Sequence, residues 1–160
     1  ARVTRRLPGT LRVHVREKEP VAFVAEEVLA PITTSGERLP IDPTVADADL
    51  PIVRAAPDEE VPLWLLEEAE RLTRMDPELV ARVSEIHPQD TVRRSLLLRH
   101  RNADILLPTG AGADRFVELR AVLADLQRRT EPGGGGEVAR IDLRFADQVV
   151  VRPPFSVEEP

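Results

Sequence analysis

The chain has 160 residues, 42% of them hydrophobic, and its 22 Lys and Arg against 28 Asp and Glu give a formal net charge of -6. This fits one domain of ordinary size with its own core and a small addition, and the longest apolar run, residues 21–25, is far too short for a membrane-spanning helix, which needs ~20 residues. The absence of Cys excludes disulfides and thiolate chemistry, and an acidic balance with four Phe, one Trp and no Tyr argues against a nucleic-acid partner.

Charge divides the chain into three parts. Residues 1–24 are net basic, the next part up to residue 70 is strongly acidic, and the remainder is balanced. The change in sign near residues 23–26 predicts a domain boundary between a small unit at 1–24 and a main domain that begins at residue 25. We expect the main domain to end at residue 155, after the last predicted strand, and residues 156–160 to form a tail. The chain begins with Ala in strand-like sequence, so we expect it to be a fragment of a longer protein.

The first 24 residues predict a β-hairpin. Residues 7–10, Leu-Pro-Gly-Thr, supply turn chemistry, and Leu11, Val13 and Val15 then alternate with polar residues. One face of the ribbon is therefore apolar. Because a two-stranded ribbon is marginal in water, we expect the hairpin to be mobile or to dock on a neighbouring surface.

The middle of the chain predicts short strands followed by two short helices. Prolines interrupt the apolar pieces of residues 25–56, which favours short strands or extended loops. Pro62 suits the first turn of a helix, and apolar residues recur at helical spacing up to Met75. A second helix is expected with Asp76 as its N-cap and Val83 among its apolar residues.

Two further hairpins are predicted in the C-terminal half. Residues 92–100 pair with residues 103–107 across a polar turn. Residues 138–145 and 148–152 form the last hairpin, turned at Ala146-Asp147. The sequence thus predicts an α+β fold, a largely antiparallel sheet with two to three helices.

The glycine-containing loop at residues 108–115, Pro-Thr-Gly-Ala-Gly-Ala-Asp-Arg, follows a strand and opens a helix for which Asp114 is the expected N-cap. A dinucleotide fingerprint would occupy this place, but Arg115 stands where a third small residue is needed. The pattern also shows no surrounding strand-helix-strand unit and no Lys-Ser/Thr. An ordinary loop is favoured.

No other pattern predicts catalysis, a cofactor or a metal. The histidines are far apart and lack a second ligand at helical spacing: His14, His87 and His100. Two pairs of carboxylates fit a solvated surface better than an acid-base dyad: Asp47/Asp49 and Glu67/Glu68. No serine has the context of a nucleophile. We therefore predict a protein that is not an enzyme.

The last strand leaves two interpretations open. Val149, Val150 and Val151 place apolar side chains on both faces of a short strand that ends at Arg152. At a sheet edge, such a strand is a template for pairing with a partner strand. Alternatively, Val150 is buried and the strand lies inside the sheet.

Three stretches together resemble the FtsQ/DivIB family of bacterial cell-division proteins. Residues 5–22 resemble the closing hairpin of that family's POTRA module, with the run RRLPGTLRVHVREKEPVA. Residues 83–86, VSEI, and residues 141–145, IDLRF, followed by 148–153, QVVVRP, resemble later blocks of the family in the same order.

The resemblance implies a non-enzymatic scaffold without cofactors. It implies an extracytoplasmic fragment of a single-pass inner-membrane protein, on the periplasmic side at the division septum, anchored through a segment that precedes this chain. Residues 1–24 would be the C-terminal hairpin of a truncated POTRA module, and residues 25–155 an FtsQ-type β-domain. The implied partners are FtsB- and FtsL-like proteins and other divisome components, with an FtsB-like chain adding a strand to the C-terminal edge.

The resemblance also assigns partner-binding residues. Arg144 would pair with an acidic partner side chain, Phe145 would be an aromatic anchor, and residues 148–152 would be the strand that is extended. The residues so assigned are Arg144, Phe145, Gln148, Val149, Val150, Val151 and Arg152.

Two alternatives remain at this point. One is a POTRA-containing module of outer-membrane assembly or polypeptide transport. The other is a small-molecule-binding domain that uses the Gly110–Asp114 loop.

Overall fold

The computed structural model describes residues 2–6, 9–15, 17–26, 28–42, 49–55, 59–90, 94–100, 103–129 and 139–152. The strands are β1 (Arg2–Arg6), β2 (Thr10–His14), β3 (Ala22–Ala25), β4 (Leu29–Ile32), β5 (Ile52–Val53), β6 (Val83–Asp90), β7 (Ser95–His100), β8 (Ala103–Pro108), β9 (Ala139–Asp142) and β10 (Val150–Arg152). The helices are α1 (Leu63–Met75), α2 (Pro77–Val80) and α3 (Ala113–Arg129).

The strands form a two-stranded sheet, β1-β2, and an eight-stranded sheet in the order β10-β9-β8-β7-β6-β5-β3-β4. Antiparallel pairing joins β3 to β4, β6 to β7, β7 to β8 and β9 to β10. The parallel pairs are β3-β5, β5-β6 and β8-β9. The predicted α+β fold with a mostly antiparallel sheet and up to three helices is confirmed.

Helical crossovers explain two of the parallel pairs. A parallel neighbour needs a long connection that returns the chain to the same end of the sheet. Here α1 and α2 connect β5 to β6, and α3 connects β8 to β9. Their apolar sides pack in one core with the sheet, for example through Leu65, Leu72 and Leu119, which are fully buried.

The N-terminal hairpin is confirmed as β1-β2, with register Val3 opposite Val13 and a turn containing Gly9 at φ +88°. Its sheet is separate from the main one. Val13 and Val15 are 51% and 72% exposed, so this apolar stripe stays in contact with solvent. The mobility of the hairpin stays a prediction.

The second helix is shorter than predicted. Asp76 is its N-cap, as expected, and its Oδ1 accepts a hydrogen bond from the Leu79 amide at 3.2 Å. The helix ends at Val80, however, and Val83 begins β6. Val83 and Ile86 face the core from this strand, and pairing with β7 outweighs the local helical pattern.

Two other boundaries were wrong. Helix α3 begins at Ala113, so Asp114 lies in its first turn and is not its N-cap. The last hairpin is turned over residues 143–149 and not at 146–147 alone. The reason is that Leu143 continues along β8, donating its amide to the Leu106 carbonyl at 2.9 Å, before the chain turns towards β10.

Strand β3 begins at Ala22 and pairs with β4 and β5, so the main sheet starts before the boundary predicted at residue 25. The division into two domains stays a prediction. Several predicted features lie outside the described residues: the Leu7-Pro8 part of the first turn, Val92, the turn at Arg101-Asn102 and the tail at 156–160.

Candidate functional site: the sheet edge at β10

One edge of the main sheet, β4, is protected against further pairing. Pro31 lies in this strand and has no N–H to offer. Its carbonyl accepts the Leu39 amide at 2.8 Å, and Ile32 forms an antiparallel bridge with Arg38. The chain following β4 thus folds back over its outer side, which is a common way to block edge-to-edge association.

The opposite edge is β10, which pairs with β9 and, among the described residues, with no other strand. Its register places Val150 opposite Asp142, Val151 opposite Ile141 and Arg152 opposite Arg140. The sheet order therefore favours the edge interpretation of the last strand.

The hydrogen-bond pattern shows which amide of β10 points outward. The N–H and C=O of a strand residue point to the same side, and successive residues alternate. The Leu143 amide bonds to β8, so the backbone N–H and C=O groups of Leu143 and Ile141 point towards β8. Those of Asp142 point towards β10. Asp142 and its opposite residue Val150 are then a hydrogen-bonded pair, and Val151, one residue on, directs its N–H and C=O away from the sheet.

An apolar row crosses the helix-facing side of the sheet and ends at this edge. Cross-strand pairing aligns Ile86, Leu98, Ile105, Ile141 and Val151 in that order. The first four are buried, whereas Val151 is 39% exposed. An added strand would cover Val151 and extend the core by one position.

A charged row crosses the other side of the sheet. Cross-strand pairing aligns Glu85, Arg99, Asp104, Arg140 and Arg152. Their signs alternate up to Arg140, and the row then ends in two arginines directly opposite each other. All five side chains are at least partly exposed to solvent.

The Glu85 end of this row is a small ion-pair network. The Glu85 carboxylate lies 2.7 Å from Arg54 Nε, 2.9 Å from His87 Nε2 and 3.7 Å from Arg99 Nε. Burial alone would raise the pKa of Glu85, but the hydrogen bonds with His87 and Arg54 outweigh it and hold the pKa below its ordinary value. The network keeps a negative charge in the row at neutral pH.

Arg144 is held by a residue of its own chain. Its Nε and Nη2 donate to Asp142 Oδ1 and Oδ2 at 2.9 and 2.7 Å, and its backbone N–H donates to Oδ1 at 3.1 Å. These hydrogen bonds lower the pKa of Asp142 and raise that of Arg144. The two-point geometry is a strong form of ion pair, and it fixes the guanidinium at the start of the 143–149 connection.

Phe145 is 44% exposed in the same connection, and its carbonyl accepts a hydrogen bond from the buried Arg115 guanidinium. The backbone is therefore anchored to α3 while the ring stays accessible. Gln148 is also exposed, whereas Val149 packs against the core.

The structure gathers some of the assigned residues and separates others. Arg144, Val150 and Arg152 line one groove of about 190 Å³ on the outer side of the sheet. The pattern reasoning missed Arg140 and Asp142, which line the same groove. The signal was present in the alternation of charged and apolar residues from Ala139 to Arg144, which indicates that the charged residues share one face.

Hydrogen bonds to side chains of α1 hold the backbone of the glycine-containing loop at residues 108–115. The Gly110 amide donates to Glu68 Oε1 at 2.9 Å, and the Ala111 carbonyl accepts Arg71 Nη1 at 2.8 Å. Arg71 also makes a two-point pair with Glu68, which is only 8% exposed. A carboxylate thus occupies the place that a phosphate would need.

Two sequence interpretations are corrected here. Glu68 is not part of a solvated face, because it caps this loop from α1. The loop also does lie within a strand-helix-strand unit, β8-α3-β9 with parallel strands, which the sequence pattern did not indicate. That arrangement alone does not make a nucleotide site, since the Gly110 amide is already bonded.

The histidines are not brought together. His14 is exposed on β2, His87 contacts Glu85, and His100 is buried at the end of β7. Within the described ranges, no group of three or more His, Asp or Glu side chains is placed to hold a metal ion. Asp49 is exposed, and Asp47 lies outside those ranges.

Fold and edge together define an α+β domain with a mostly antiparallel sheet that is protected at its β4 edge and that ends, among the described residues, with β10 at the other. The sequence matches the family described as cell division protein FtsQ/DivIB, C-terminal, over residues 22–144, and the chain belongs to that family. The family consists of membrane-anchored division scaffold proteins, so this chain has a role in cell division with divisome proteins as partners. No curated protein matches the sequence. Within the described part of the chain, no helix is both long and apolar enough to cross a membrane.

Proposed function

We propose that this chain is the extracytoplasmic part of a non-enzymatic division scaffold that captures a partner strand on β10. The observation that carries the proposal is the position of β10: it is the last strand of the sheet, with the amide of Val151 directed outward. Main-chain pairing at such an edge supplies affinity, and side chains on alternate positions supply specificity.

The contrast between the two edges supports this proposal. The β4 edge carries a proline and is covered by the chain that follows it. The β10 edge carries three exposed or half-exposed residues, Val150, Val151 and Arg152. Proteins ordinarily block exposed edges, so an edge that no other described strand covers favours a partner.

The partners we propose are FtsB- and FtsL-like proteins, with the FtsB-like chain donating the strand. Phe145 would be an aromatic anchor beside that strand, since its ring is exposed and its backbone is fixed by Arg115. We further propose that β1-β2 is the closing hairpin of a POTRA module and that a preceding segment anchors the protein in the inner membrane, with this part on the periplasmic side at the septum. The separate sheet of β1-β2 supports an origin in another module.

Two proline variants test the strand-addition mechanism. Binding is measured to the extracytoplasmic segments of the FtsB and FtsL homologues of the same organism, which together are called the partner segment. Val151→Pro removes the outward N–H and leaves the bonds between β9 and β10, so we expect lost binding and cooperative unfolding close to that of the parent chain.

Val150→Pro is the matched control. It removes an N–H that pairs with β9, so we expect it to weaken the folded hairpin itself. Full binding by Val151→Pro would contradict the mechanism. Loss of cooperative unfolding in both variants would place the strand inside the sheet and contradict it as well.

A further inference from the structure

The charged row on the outer side of the sheet stops alternating in sign at the β10 edge. Glu85, Arg99, Asp104 and Arg140 alternate in sign from strand to strand, but Arg140 is then followed by Arg152. Like charges directly opposite each other destabilise a strand pair, whereas opposite charges stabilise it.

Neither arginine of this pair has its charge balanced by an ion pair within the described residues. Asp104 lies opposite Arg140 on β8. Asp142 is hydrogen-bonded to Arg144, and Arg140 has only a weaker charge interaction with it. The residues that line the groove include three cations, Arg140, Arg144 and Arg152, and one anion, Asp142; the charge of Asp90 acts in addition on Arg144. The excess positive charge of this groove lies at the β10 edge of the sheet.

The next position in the row belongs to a strand that is not part of this sheet. Resting on the strand addition proposed above, we infer that the captured strand places an acidic side chain directly opposite Arg152, on the outer side of the sheet. This carboxylate restores the alternation and balances the Arg140-Arg152 pair.

The register then predicts the neighbouring residue of the partner as well. A residue opposite Val151 lies on the helix-facing side, where the apolar row ends half-exposed. The partner strand therefore carries an apolar and an acidic residue in consecutive positions, one for each face. Because strand pairing shifted by one residue exchanges the two faces, this pair fixes the register of the complex.

The test is a charge swap between Arg152 and the partner segment. Arg152→Glu places an acidic residue opposite Arg140, so we expect the isolated chain to keep or raise its melting temperature while its affinity for the partner segment falls about tenfold. Each acidic residue of the partner segment is then changed singly to Lys. We expect one of these changes to restore binding to the Arg152→Glu chain and to weaken binding to the parent chain.

Arg74→Glu is the matched control, since it makes the same charge change at an exposed position of α1, where Arg74 pairs with Glu70. It should leave affinity nearly unchanged. Equal binding by Arg152→Glu, or no Lys variant that restores its binding, would overturn the inference. If Val151→Pro still abolishes binding in that case, strand addition stands and only the register fails; if Val151→Pro binds normally, the proposed function itself fails.

Discussion

The Arg144 guanidinium contacts both carboxylate oxygens of Asp142, two residues earlier in the chain, at 2.9 and 2.7 Å. The pair holds the chain where it leaves β9 for the loop that leads to β10. Arg144 is thus both the basic residue assigned to partner binding and a support for the edge on which the partner would dock.

Arg144→Gln should raise the pKa of Asp142 towards its ordinary value, because the hydrogen bonds from Arg144 are the largest cause of its lowering. The pair contributes stability above the unfolded-state pKa, about 4, and loses it as pH falls through the lower folded-state pKa. The free energies of unfolding of parent and variant should therefore converge in acid. NMR titration of the Asp142 carboxyl measures the shift, and an unchanged pKa would contradict the assignment.

Arg144→Glu should weaken binding of the partner segment, with a loss that shrinks at high salt. The reason is that a rim charge acts mainly through screened electrostatics. Affinity measured at several salt concentrations tests this, with Arg74→Glu as the charge-matched control. A loss that is independent of salt would show packing damage in the 143–149 connection instead.

Glu68→Ala should destabilise the fold by about 3 kcal/mol, since it leaves the Gly110 amide and the partly buried Arg71 without their carboxylate. Its neighbour Glu67 is exposed, so Glu67→Ala should change the free energy of unfolding by no more than about 0.5 kcal/mol. Denaturant unfolding compares the two. Equal effects would mean that the contacts of Glu68 with the Gly110 amide and Arg71 contribute little to the free energy of unfolding.

The sequence was sufficient for most elements whose signals are local. The cap at Asp76, the helix that follows the glycine-containing loop and the pairing of β7 with β8 follow from residues close together in the chain. The predicted end of α2 and the predicted position of the last turn were wrong because pairing with residues distant in the sequence determines both. Val83 pairs with β7, and Leu143 bonds to β8.

At the candidate site, too, local features could be predicted from the sequence and features set by strand pairing could not. An open last strand could be considered from the valines at 149–151 alone, but its outward amide could not, because that depends on how β9 pairs with β8. The opposition of Arg140 and Arg152 likewise depends on the register of the last hairpin, which the sequence placed incorrectly.

The most direct measurement is residue-level amide hydrogen exchange of β10 with and without the partner segment. In the free chain, the Val151 amide should exchange faster than those of Val150 and Arg152, which face β9. Addition of the partner segment should slow Val151 at least about tenfold and change its two neighbours much less. A Val151 amide that is already as protected as its neighbours, or one that the bound partner leaves unchanged, would contradict capture of a strand at this edge.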